Sequence, residues 1–133
     1  NLTPANYDIT NALSLVGSYN INDQLVAGIS YKISTGKPYT PVNEAYYDPT
    51  LNLYIPVYGD NNSARFPTYD RLDMNIQYIF ALFGKFAVAV AAVNNILNVK
   101  NVYNYTYNYD YTQQVAVISN NQRSLYLGLG LQF

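Results

Sequence analysis

Side-chain chemistry needs groups that move protons, attack carbonyls or hold cations, and this 133-residue chain is poor in them. It contains no histidine and no cysteine, which removes the commonest general base, the commonest metal ligand and every thiolate. Seven Lys and Arg, eight Asp and Glu, and sixteen tyrosines remain. The usual nucleophile–base arrangements cannot be assembled from these. The expectation is therefore no enzyme, no catalytic residue, no cofactor and no metal. Glu44, Asp48 and Asp60 lie in "NEAYYDPTLNLYIPVYGDNN". They are oxygen ligands of the kind calcium prefers, but they lack a recognised spacing and read as a solvated loop. A net charge of −1 supplies no field for nucleic acid, and none is expected as a partner.

The tyrosines and one charged run are the richer material. "VYNYTYNYDY" puts Tyr103, Tyr105, Tyr107, Tyr109 and Tyr111 on one parity. Such a ladder offers area for stacking on sugar rings or an aromatic siderophore; the plainer reading is strand extension with an outer aromatic girdle. In "YDRLDMNIQYIF", Arg71, Asp73, Asn75 and Gln77 share the parity opposite Leu72, Met74, Ile76, Tyr78 and Phe80. Facing a lumen, the polar set would meet a plug or a passing ligand, or more simply wet the interior and pair its charges.

Such residues need strands to position them, because side chains alternate faces only on a strand. Five stretches carry the period of two, over roughly 7–19, 24–34, 69–80, 85–96 and 122–133. The last puts Leu125, Leu127, Leu129, Leu131 and Phe133 on one face, against Ser124, Tyr126, Gly128, Gly130 and Gln132. In the first, Ile9, Leu13, Leu15 and Tyr19 oppose Asp8, Thr10, Ser14 and Ser18. In the fourth both faces are apolar, with the bulk of Phe86, Val88 and Val90 set against Ala87, Ala89 and Ala91. Soluble strands average about 5–6 residues, whereas a tilted strand crossing a bilayer needs about 9–11.

Tight turns around "INDQ" and "ALFGK" alternate with long excursions, from about Thr35 to Thr68 and from about Leu97 to Asn121. Outer-membrane barrels show this asymmetry, with short periplasmic turns and long extracellular loops. At the turn side, Tyr19, Tyr78, Phe80, Phe86 and Phe133 are read on the apolar parity, as a lipid-facing aromatic girdle requires. The expected fold is all-β: an antiparallel transmembrane β-barrel segment of about five long strands, facing outer-membrane lipid. Nothing from Asn1 onward reads as a leader. Five strands are too few to close a barrel, and open edges in hydrocarbon cost several kcal/mol per unpaired backbone group. The remaining barrel strands must then come from elsewhere.

The runs "STGKPYTPV", "NSARFPTYDRLDMNIQY", "AAVNNILNVKNVYNYTYNYDYT" and the terminal "LYLGLGLQF" occur in that order. Together they resemble the C-terminal barrel strands of TonB-dependent outer-membrane receptors, and the likeness covers most of the chain from about Pro4. The resemblance implies a larger barrel of about 22 strands with a plugged lumen in the bacterial outer membrane. It implies energised uptake of a scarce ligand of the siderophore, glycan, cobalamin or peptide class. The plug domain, the TonB complex and the barrel-assembly machinery would be partners. Leu125, Leu127, Leu129, Leu131 and Phe133 would form the assembly signal read by that machinery. A passive porin or adhesin-type barrel is the first alternative, and a secreted carbohydrate-binding β-domain is the second.

Overall fold

The computed structural model describes residues 3–120 and 122–131. Every regular element among them is a β-strand, and none is a helix. Two compact units share the chain, one made of residues 13–33, 70–100 and 120–133, the other of 1–12, 34–69 and 101–119.

The first unit is one antiparallel sheet. It contains β1 (Ala12–Asn20), β2 (Leu25–Ser34), β7 (Tyr69–Leu82), β8 (Lys85–Asn94) and β11 (Ser124–Leu131), hydrogen-bonded in that order. Each overlaps one of the five stretches that carry the period of two. Asn22 builds the first turn: its Oδ1 accepts the N–H groups of Gln24 and Leu25 at 2.9 and 2.8 Å. The second turn is the two-residue Phe83–Gly84, with φ of 52° and 74°. Positive φ at both central residues is the hairpin geometry that matches strand twist. Among the described residues the sheet is open, with β1 and β11 as its edges.

Register assigns the faces. Leu125, Leu127, Leu129 and Leu131 pair with Val93, Ala91, Ala89 and Ala87. Across β8 those same residues pair with Met74, Ile76, Tyr78 and Phe80. One face is therefore apolar throughout, and it lies uncovered: Leu125, Leu127 and Leu129 are 67%, 70% and 64% exposed. Ala87, flanked by Leu131 and Phe80, is fully buried. A sandwich would interleave these leucines with a second sheet; among the described residues none covers them.

The fourth strand corrects one expectation. Phe86 pairs with Ala81, and Val88 and Val90 pair with Ile79 and Gln77, so they occupy the polar face while the alanines lie among the leucines. Bulk did not decide the face. The Phe83–Gly84 turn fixes Leu82 opposite Lys85, and a side-chain period of two propagates that choice along the strand. Phe86 therefore leaves the aromatic row on the apolar parity.

Strand bounds shift for local reasons. The first strand begins at Ala12, not at residue 7, because Asp8 N–H bonds back to Ala5 in a turn and its carboxylate holds Arg65. Ile9 thus lies outside the strand. The fourth ends at Asn94 because Asn95 adopts φ 49°. Gln132 and Phe133, the end of the terminal motif, lie outside the described residues.

The second unit folds the two excursions into three small antiparallel sheets that the sequence reading leaves as loops. β3 (Pro38–Tyr39) pairs with β6 (Ala64–Arg65), β4 (Val42–Asp48) with β5 (Leu53–Tyr58), and β9 (Val102–Tyr107) with β10 (Gln114–Ile118). Arg65 Nη1 donates to the carbonyls of Asp8 and Gly36, both at 3.1 Å. A Cβ on Gly36 would lie 1.8 Å from the Phe66 carbonyl oxygen, so only glycine fits that crossing.

Candidate functional site

The polar face of the sheet gathers two of its four expected residues into a charged cluster. Arg71 Nε donates to both carboxylate oxygens of Asp73, at 2.8 and 2.9 Å, and Lys32 adds a second positive charge nearby. Asp73 Oδ1 also accepts the N–H of Asn95 at 2.8 Å. The carboxylate thus has three donor contacts, two to the guanidinium and one to the backbone. Asn75 stands apart, its amide against Gly28, where an added Cβ would come within 2.7 Å of it. Gln77 is exposed opposite Val90.

Asn95 is a residue the sequence reading misses. It is completely buried, and its side chain bonds Val99 twice, donating to the carbonyl at 3.0 Å and accepting from the N–H at 3.1 Å. It thereby imitates a strand partner at the point where β8 stops. The asparagines of "VNNILNVKN" were the available signal, since Asn tolerates positive φ and bonds local backbone.

The tyrosine ladder is divided. Tyr103, Tyr105 and Tyr107 lie in β9, whereas Tyr109 and Tyr111 lie in the turn that follows. The register shifts between Val117 and Ile118, leaving Tyr103 without a cross-strand partner and largely exposed. Tyr105 instead packs on Tyr39 and Phe66, with ring centroids 5.1 and 5.2 Å away. A single continuous stacking face of five rings does not form, because the chain reverses at Asn108.

That reversal is tightly bonded. Asn108 Oδ1 accepts the Gln113 N–H at 3.0 Å, and its Nδ2 donates to Thr112 Oγ1 at 3.0 Å. Thr112 donates to Asp110 Oδ1 through its hydroxyl at 2.7 Å and its N–H at 3.1 Å. These bonds hold the Asp110 carboxyl below the usual carboxylate range, the Thr112 hydroxyl contributing most. Tyr111, at φ 60°, then brings its ring 5.7 Å from Tyr107.

The neighbouring β4–β5 hairpin supplies the other wall. Asp48 Oδ1 caps its turn by accepting the N–H groups of Thr50 and Leu51, a structural use of that carboxylate. Tyr47 and Tyr54 are cross-strand partners with centroids 5.3 Å apart, and Tyr54 meets Tyr109 edge-on at 6.0 Å. Between the hairpins lies an open groove of about 1040 Å³, into which Tyr47, Tyr54, Tyr107, Tyr109 and Tyr111 all face. Three ladder residues are therefore brought together with two tyrosines that the sequence reading leaves in a loop. The alternation either side of "DPTLN" was the signal for that hairpin. The chain matches no protein-family model, no curated protein and no solved structure.

Proposed function

We propose that these residues are the C-terminal portion of the barrel of a TonB-dependent outer-membrane receptor, taking part in energised uptake of a ligand. One observation carries the membrane half of the reading: a single-layer antiparallel sheet whose apolar face is uncovered along four successive leucine-bearing positions of β11. Hydrocarbon is the medium in which such a face needs no further protein, because lipid-facing and lumen-facing residues alternate along barrel strands. The open edges β1 and β11 would pair with the remaining barrel strands, since unpaired backbone in lipid costs several kcal/mol per group. The receptor half rests on the resemblance of the four ordered motifs, with the polar face carrying Arg71, Asp73, Asn75 and Gln77 turned to the lumen and plug.

The test is expression of the full-length chain followed by membrane fractionation. A detergent-extracted outer-membrane band whose electrophoretic mobility shifts on heating is expected, with uptake that stops when TonB is deleted. Recovery in the soluble fraction without detergent overturns the membrane reading. Uptake indifferent to TonB overturns the receptor reading in favour of a passive porin or adhesin.

A further inference from the structure

We infer that the groove between the β4–β5 hairpin and the β9–β10 turn binds a neutral oligosaccharide, which names the ligand class on the proposed receptor reading. The groove's lining is Tyr47, Tyr54, Tyr107, Tyr109 and Tyr111, with uncharged polar and aliphatic residues between them and no charged side chain.

Several polar groups there are already engaged within the protein. Asn52 Oδ1 accepts the Tyr47 hydroxyl, Asn108 holds its own turn, and the Tyr107 hydroxyl accepts Gln114 Nε2. What is left to a ligand is ring faces at several inclinations and phenol hydroxyls, notably on the 82% exposed Tyr109. The rings are set edge-on or tilted to one another, so they offer faces in different directions instead of one flat platform.

A pyranose matches this offer. Its C–H faces pack on aromatic rings, and its equatorial hydroxyls both donate and accept, as phenols do. Successive sugar units rotate relative to one another, which suits rings presented at different angles. A ferric catecholate or another anion would need a lysine or arginine here, and the lining has none. The nearby carboxylate of Asp110 is held ionised by Thr112 and opposes an anion further. A peptide's C-terminus and acidic side chains would be unpaired in the same way.

The experiment uses the full-length protein in outer-membrane preparations, first checked for the heat-shifted band. Failure at that step tells against the receptor reading and not against the ligand class. The assembled protein is then titrated with panels of neutral glucan, mannan and xylan oligosaccharides, with a ferric catecholate, and with cyanocobalamin. Binding of one neutral oligosaccharide panel is expected. Tyr54→Ala should weaken it about tenfold, the value of one aromatic contact, while Tyr54→Phe keeps most of it. Tyr46→Ala, outside the groove, should leave it unchanged. Binding of the catecholate or cobalamin alone, or equal binding by the wild type and Tyr54→Ala, overturns the inference.

Discussion

Asp73 on one strand accepts the backbone N–H of Asn95 just beyond the end of the next strand, at 2.8 Å, while holding Arg71 Nε through both oxygens. The bond joins an ion pair on the polar face to the residue that ends β8. Asn95 in turn carries the Val99 backbone on its side chain, so one carboxylate fixes where the chain leaves the sheet. Asp73→Ala strips a buried N–H and a guanidinium of their acceptor, and should destabilise the sheet by about 1–3 kcal/mol. Asp73→Asn keeps an acceptor oxygen for Asn95 and should cost less. Heat-shift midpoints of the two variants check the order, and an equal loss in both would show that the ion pair alone matters.

The two faces should answer arginine differently. Leu127 lies opposite Ala91 on the apolar face, and Gln77 lies opposite Val90 on the polar face. An arginine facing lipid at the bilayer midplane costs about 2–4 kcal/mol, so Leu127→Arg should reduce the yield of heat-shifted, membrane-assembled protein. Gln77→Arg should assemble as the wild type does. Equal tolerance of both substitutions would contradict the assignment of the faces to lipid and lumen.

The leucines of β11 were legible because only one of its faces is greasy, and a period of two has one solution there. On β8 both parities are apolar, so nothing along the strand distinguishes Phe86 from Ala87. The deciding information sits in the Phe83–Gly84 turn, which sets the pairing of Leu82 with Lys85. The excursions were legible as departures from the sheet but not as hairpins. Their strands are short, one carries Pro56, and they pair only with each other. The tyrosine ladder had the right parity within β9 and lost it at Asn108, where side-chain bonds to the backbone reverse the chain. One wall of the groove carries Tyr47 and Tyr54, more than fifty residues earlier in the chain than the tyrosines opposite, a proximity that no local pattern announces.

Phe83 tests the turn itself. It holds φ 52° with its ring 95% exposed, so it bears a left-handed backbone without packing in return. That conformation costs an ordinary residue about 1–2 kcal/mol, while Asn and Gly visit it readily. Phe83→Asn should therefore raise the unfolding midpoint. Gly84→Ala should lower it, because φ 74° penalises any Cβ even though the space around it is open. If Phe83→Asn instead lowers assembly, the ring has a contact outside the chain.

Acid should loosen the groove from the β9–β10 side. The Asp110 carboxyl is held below its ordinary range, chiefly by the Thr112 hydroxyl and then by the Thr112 N–H. A group whose folded pKa is depressed contributes stability above its unfolded value and loses it as pH falls through the folded one. The turn should thus keep its order at neutral pH and lose it only at pH below the usual carboxylate range. Thr112→Val removes the hydroxyl that donates to Asp110 and accepts from Asn108, so the transition should move to higher pH. Quenching of tyrosine emission, read as the Tyr107–Tyr111 contact separates, follows the transition in wild type and variant. Coincident acid transitions in the two proteins would mean that the carboxylate does not govern the turn, and that the tyrosine wall is held by its ring contacts alone.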